Sequence, residues 1–203
     1  MARVGRKKNG RRTVRLMADV IVIGGAPGTG KSTLASELQA RLRSPWIDFG
    51  RIREFHLERD WLNQSEQEEA MSFENLLFIL RNYRRHGYAN VIIEDLQDGR
   101  IVQMAHLTDL DVRILTLVLG DHDELRKRIR ERDEGWRNGD KAVEWNRRVM
   151  ERMTLPGEVK LDVIGMTPSE VVRLAVQCLG IENDDVSQPS SAGDVATRAA
   201  PQP

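Results

Sequence analysis

The run Gly24-Gly25-Ala26-Pro27-Gly28-Thr29-Gly30-Lys31-Ser32-Thr33 restricts this chain more than any other stretch. From Gly25 to Ser32 it fits G-x-x-x-x-G-K-[ST], the pattern of a phosphate-binding P-loop. Glycines let the backbone curl so that several N–H groups point inward at phosphate oxygens. Lys31 is placed to reach the β- and γ-phosphates, and the Ser32 hydroxyl to ligate Mg²⁺. A helix starting at the lysine adds the positive end of its dipole. The flanks agree. Val20-Ile21-Val22-Ile23 reads as a short, fully buried strand, and Leu34, Leu38 and Leu42 recur at helical spacing. The residues expected around a triphosphate are therefore Gly25, Ala26, Pro27, Gly28, Thr29, Gly30, Lys31, Ser32 and Thr33.

The rest of the chain alternates strand and helix. Strands are expected at Trp46–Phe49, ending at Gly50, at Val91–Ile93, at Val112–Leu119 and at Leu161–Ile164. Helices are expected over Arg51–Asp60, with Ile52, Phe55 and Leu57 apolar, and from a Ser65 cap to Arg85. The face of the latter is Ala70, Phe73, Leu76, Leu77, Leu80 and Tyr83. Asp98-Gly99 reads as a turn before a short helix over 101–107. Further helices follow over 121–132 and 141–152. Thr167-Pro168-Ser169-Glu170 has the cap, the first-turn proline and the glutamate of a helix start. This order predicts an α/β, three-layer P-loop NTPase fold: a five-stranded parallel sheet with helices on both faces and a short lid. Its ligands gather at the C-terminal strand edge.

Length and tails suit one domain over 18–181, with the lid at about 133–140. Residues 1–17 read as a disordered basic extension. Arg3, Arg6, Lys7, Lys8, Arg11, Arg12 and Arg15 stand there with no acid among them. Residues 182–203 are poor in apolar side chains and read as a disordered tail. Lysine plus arginine and aspartate plus glutamate balance at 31 each, so net charge points to no special partner. The chain lacks the apolar run of a signal peptide or a membrane span. Its single cysteine, Cys178, excludes an internal disulfide. Together these point to a reducing cytoplasm and no membrane. Oligomeric state is not legible.

Three candidates share the expected edge with the loop. Glu94-Asp95 follows an apolar strand, where such proteins orient Mg²⁺ or its waters. Strand side chains alternate faces, so one carboxylate can serve the metal while the other packs. Asp95, with Ser32, is the reading for the metal. Asp48 is a candidate general base or a turn-forming residue before Gly50; Glu94 and Asp95 stay open as alternatives for the base. Arg128 and Arg132 stand four apart on one helix face. Such a pair can clamp phosphates and the charge that develops during transfer. With Lys31 and Asp48 they make the catalytic set. The segment that follows reads as a lid that excludes water.

These marks resemble the small P-loop kinases of the nucleoside-monophosphate, shikimate and adenylylsulfate kinase group, over roughly 18–180. The shared features are Gly25–Thr33, the run Leu125-x-x-Arg128-Ile129-x-x-Arg132, and Leu161-Asp162-Val163 before Thr167-Pro168-Ser169-Glu170. The resemblance implies that Arg128 lies near the adenine and ATP phosphates, that Arg132 meets the transferring phosphoryl, and that Ile164–Thr167 lie near the adenine. Trp46–Gly50 followed by Ile92–Asp95 looks most like the chloramphenicol phosphotransferase-like branch. That enzyme has an Asp two residues after its Phe-Gly, where this chain has Ile52. The acceptor pocket is expected between Arg51 and Arg85, where Arg51, Arg53, His56 and Arg59 suit an anionic or polar acceptor.

The function implied is transfer of the γ-phosphoryl of ATP, with Mg²⁺, to a hydroxyl of a small molecule. The alternatives are a kinase acting on nucleic acid or tRNA, and a nucleotide-binding regulatory ATPase. No aromatic and basic residues interleave as a nucleic-acid stacking groove would require.

Overall fold

Every residue of β1 (Val20–Gly25) is buried, as expected of a central strand covered on both faces. The computed structural model describes residues 18–54, 66–132 and 137–180. Over these, β1 is followed by α1 (Lys31–Leu42), β2 (Trp46–Asp48), α2 (Phe49–Glu54), α3 (Glu66–Arg85) and β3 (Val91–Glu94). Next come α4 (Asp98–Ala105), β4 (Val112–Val118), α5 (His122–Arg130), α6 (Gly139–Glu151), β5 (Glu158–Asp162) and α7 (Pro168–Cys178). The strands form one sheet in the order β2-β3-β1-β4-β5. All four pairings are parallel. The expected five-stranded, three-layer α/β fold is what forms.

Alternation along the strands sorts two cores. Ile21, Ile23, Ile92, Leu115 and Leu117 meet Leu34 and Leu38 of α1 and Val171 and Ala175 of α7. Leu125 of α5 and Val143 of α6 join that layer. Val20, Val22, Ile93 and Ile114 face the other way, onto Phe49 and Ile52, onto Phe73, Leu76 and Leu80, and onto Ile101 and Met104. Helices thus cover both faces, and the strand order reverses around β1, where such sheets bind ligands.

Several boundaries differ from the expectation. Phe49 and Gly50 open α2 instead of closing β2. Phe49 is fully buried and meets Phe73 edge to face at 6.3 Å, so packing on α3 fixes its place. Asp98-Gly99 begins α4 rather than forming a separate turn. Strand β5 starts at Glu158 and ends at Asp162, three residues early at its start, because Glu158 has buried partners. Gly139 and Asp140, expected in the lid, are the first residues of α6, and Asn138 caps it through the Lys141 N–H. The helix expected beyond Glu54, with Phe55 and Leu57, the Ser65 cap, the centre of the lid and both tails lie outside the described residues.

Candidate nucleotide and phosphoryl-transfer site

The loop between β1 and α1 gets its shape from close approaches that only glycine permits. Gly25 has φ +126°, and a Cβ on it would stand 2.2 Å from the Leu117 carbonyl oxygen. Gly28 has φ +86° and lies under α5, where a Cβ would meet Leu125 Cδ1 at 3.0 Å and Ile129 Cδ1 at 3.1 Å. Thr29 is turned into the loop, where its hydroxyl donates to the Ala26 carbonyl at 2.9 Å. Lys31 Nζ donates to the same carbonyl at 3.2 Å. Burial pushes the Lys31 pKa down, against the raising pull of Asp95, Glu94 and Asp48; Arg132 adds to the lowering. A cation held in that way is stabilised by an incoming anion.

At the end of β3 the two carboxylates part company. Glu94 is 3 % exposed and hydrogen-bonded by the Ser32 hydroxyl. Burial raises its pKa; Ser32 and Lys31 oppose the shift, while Asp48 and Asp95 add to it. Asp95 follows the strand with φ +62° and keeps half its side chain open. It pairs with Arg53 at 3.2 Å. Desolvation raises the Asp95 pKa too, against Lys31 and Arg53. It is therefore Glu94, not Asp95, that stands against Ser32. Asp48 ends β2 and accepts from the Gly50 N–H at 2.9 Å. Its second oxygen lies 3.9 Å from Arg51. The bare Cα of Gly50 leaves room for both Asp48 and Asp95: a Cβ there would lie 3.0 Å from one and 2.7 Å from the other.

Helix α5 carries Arg128 across from the loop. It ends at Arg130 with Glu131 as its cap, short of the expected Arg132, so Arg132 follows the helix rather than sharing a helical face with Arg128. Asp121 caps it through the Asp123 and Glu124 N–H groups, and Leu125 and Ile129 are fully buried. Two hollows result. One, of about 170 Å³, is mainly apolar and is lined by Leu34, Val163, Met166, Pro168 and Val171, with Thr29 and Arg128 at its edge. The other, of about 300 Å³, is lined by Gly28, Lys31, Ser32, Thr33, Arg128 and Arg132. Arg128 borders both, and Glu124 holds its Nε at 2.9 Å. The first suits a flat base and the second its phosphates. The start of α7, beside the apolar hollow, is built by the expected capping box of Thr167 and Glu170.

On the opposite side, the Phe49–Phe73 pair carries an arginine over each ring: Arg53 at 5.5 Å and Arg100 at 4.9 Å. Arg100 Nε donates to both oxygens of Glu69, at 2.9 and 3.0 Å. Arg100 and Glu69 were not singled out from the sequence, because their pairing joins α4 to α3 across 31 positions.

The sheet and the loop at its switch point define a P-loop fold. The chain belongs to the AAA domain family, whose model matches residues 21–151. No match was found among curated proteins. Among solved structures, the chain is similar to a sugar kinase from Janibacter sp. HTCC2649 at 16 % identity and a TM-score of 0.60, covering 80 % of this chain and 94 % of that one. It is also similar to a gluconokinase from Sinorhizobium meliloti 1021, at 17 % identity and 0.60 over 82 % and 94 % of the two chains. Shikimate kinase from Aquifex aeolicus aligns at 18 % identity and 0.52, over 79 % and 96 %. At these identities the likeness is one of fold. No helix among the described residues is long and apolar enough to cross a membrane.

Proposed function

We propose that the protein transfers the γ-phosphoryl of ATP to a hydroxyl of a small molecule. The observation that carries this reading is the phosphate-sized hollow lined by Lys31 and Ser32 on one side and by Arg128 of α5 and Arg132 just beyond it on the other. A binding loop alone needs no such second set of cations; a reaction that redistributes charge over phosphoryl oxygens does. In this reading the base lies against Val163, Met166 and Pro168, and the backbone of Gly25–Thr33 cradles the phosphates. Arg128 holds the nucleotide and Arg132 the phosphoryl in transit.

Ser32 and Glu94 offer the hard oxygen donors that Mg²⁺ takes together with substrate phosphates. We assign Ser32 as the direct ligand and Glu94, rather than Asp95, as the partner that orients it and its waters. Bound Mg²⁺ would neutralise the β- and γ-oxygens. Asp48 stands at the acceptor side of Lys31 and is the candidate base. Arg53 and Arg100, the arginines over the aromatic pair, each face a carboxylate, which favours a neutral hydroxyl compound over an anion. Trp46–Gly50 followed by Ile92–Asp95 resembles the chloramphenicol phosphotransferase-like branch, with Ile52 where that branch has an aspartate.

The kinase group among the similar structures supports this reading. The test is a screen of nucleosides, sugars, aminoglycosides and phenicols for acceptor-stimulated ADP release. One or more compounds should raise ADP release well above the basal rate and appear phosphorylated by mass. Nucleotide binding with no stimulation by any hydroxyl compound would instead favour a regulatory ATPase.

A further inference from the structure

Helix α6 carries an asparagine where a core residue belongs. Asn146 is fully buried in the middle of that helix. Asparagine is a poor helix former, and a buried amide must find partners. This one finds them on a single residue of another element. Its Oδ1 accepts from the Leu119 N–H at 3.1 Å, and its Nδ2 donates to the Leu119 carbonyl at 2.8 Å. A further contact runs from Nδ2 to Met150 Sδ at 3.4 Å.

Leu119 is where the sheet lets go of the chain. β4 ends at Val118, whose carbonyl takes the ladder bond from Val163 N–H at 3.0 Å. Leu119 is fully buried one residue later. Asn146 thus acts on it as one more strand residue would, filling both backbone valences. The next two residues are pinned as well. The Gly120 N–H donates to Asp162 at 3.1 Å. Asp121 caps α5 through Asp123 N–H at 3.0 Å and Glu124 N–H at 2.9 Å. The root of α5 is therefore held at Leu119 and Gly120 and capped by Asp121, and the fully buried clamp on Leu119 comes from α6.

We infer that Asn146 is a positioning residue for phosphoryl transfer: it sets the direction in which α5 leaves the sheet and so places Arg128 and Arg132. This rests on the reading of α5 as the helix that clamps the phosphates. The geometry works as a lever. At 1.5 Å per residue, the 9 residues of α5 span roughly 13 Å, so a tilt of about 6° at the root moves its far end, and with it Arg132 just beyond, by about 1.4 Å. A misplacement of about 1 Å can cost about a hundredfold in rate. The packing of Leu125 and Ile129 on Gly28 limits how far α5 can slide, and the Arg126–Asp140 pair that ties it to α6 lies between exposed side chains.

The test is a double-substitution cycle on the full chain, with single-turnover transfer to the best acceptor as readout. Asn146→Ala should lower the rate by about ten- to a hundredfold in the wild-type background. In the Arg132→Ala background it should cost no more than about twofold, because the group it places is gone. Asn146→Asp retains an acceptor for the Leu119 N–H and carries the same cycle if Asn146→Ala does not fold. Equal factors in both backgrounds would overturn the inference and leave Asn146 a stabilising residue only. If Arg132→Ala itself leaves transfer unchanged, the phosphotransfer reading of α5 falls and this inference with it. If Arg132 matters and the factors multiply, only the inference falls.

Discussion

Leu125 packs on Gly28 so closely that a Cβ on the glycine would lie 3.0 Å from its Cδ1. This contact joins the phosphate loop to the arginine helix. Gly28→Ala should therefore act twice. The left-handed backbone, φ +86°, costs a non-glycine residue about 1–2 kcal/mol. The new methyl also pushes loop and helix apart. ATP affinity should fall at least about tenfold, corresponding to about 1.4 kcal/mol. Calorimetry on the folded variant checks this; unchanged affinity would mean that the loop and α5 are not mechanically joined.

Glu94 is a carboxylate kept for function at the expense of stability. Burial raises its pKa in the folded chain above the ordinary glutamate value of 4.5. The neutral form is thus preferred in the fold, and the cost of ionisation appears as pH rises past 4.5. It is complete above the raised folded value. The nucleotide-free protein should lose stability across that window, and Glu94→Gln should flatten the loss. At neutral pH the variant should melt higher, by about 2–4 °C for each kcal/mol relieved. The same change should weaken Mg²⁺-dependent ATP binding. A variant that melts lower at neutral pH would show that the ionised carboxylate is structurally required.

How far the sequence reaches is visible at this strand end. The pattern Val91-Ile92-Ile93 marks a buried strand, and acids at its end mark the site. Choosing between Glu94 and Asp95 by alternation assumes that both lie in the strand. Asp95 does not: its backbone turns left-handed at φ +62° just after β3 ends. The loop glycines, Asp121 at the start of its helix, where it is the cap, and the Thr167–Glu170 box are local chemistry and are legible as such. Phe49 in α2, Glu158 in β5 and Asn146 in α6 are not, because each is placed by a partner 24, 42 and 27 positions away: Phe73, Thr116 and Leu119.

Glu158 illustrates the opposite pH behaviour. Its side chain is fully buried, and burial alone would raise its pKa. Two bonds from Arg152, at 2.6 and 2.7 Å, one from Thr116 and one from the Leu155 N–H at 2.8 Å outweigh that and hold it down. A depressed carboxylate contributes stability above its unfolded value of about 4.5, lost as pH falls through the lower folded value. Acid unfolding should therefore draw on this group below about pH 4.5. Arg152→Ala should cost about 3–5 kcal/mol at neutral pH, since it leaves a buried charge unpaired. Denaturant melts at pH 7 and 4 would check both; an equal loss from Arg152→Ala at both pH values would exclude Glu158 as the titrating group.

Arg128 stands in α5 and Arg132 just past its end; both border the phosphate hollow but Arg128 also borders the apolar one, and this separates a transferase from a binding protein. Arg128 lines the base hollow and the phosphate hollow alike, and Glu124 orients it. Arg132 lines only the phosphate hollow. Interactions present equally before and during the reaction lower the dissociation constant without raising the rate; those made only in the transition state raise the rate. Arg128→Ala should therefore weaken ATP binding more than it slows transfer from the bound complex. Arg132→Ala should do the reverse. Its single-turnover rate should drop by about a hundred- to a thousandfold, the typical loss for one donor aimed at developing charge, with a much smaller change in affinity. The measurements are ATP affinity by calorimetry and transfer in a single turnover, on both variants. In a regulatory ATPase both substitutions would act on affinity alone. If both effects are small and equal, α5 is a solvated charged helix, and the case for transfer retreats to the loop that ends in Lys31 and Ser32.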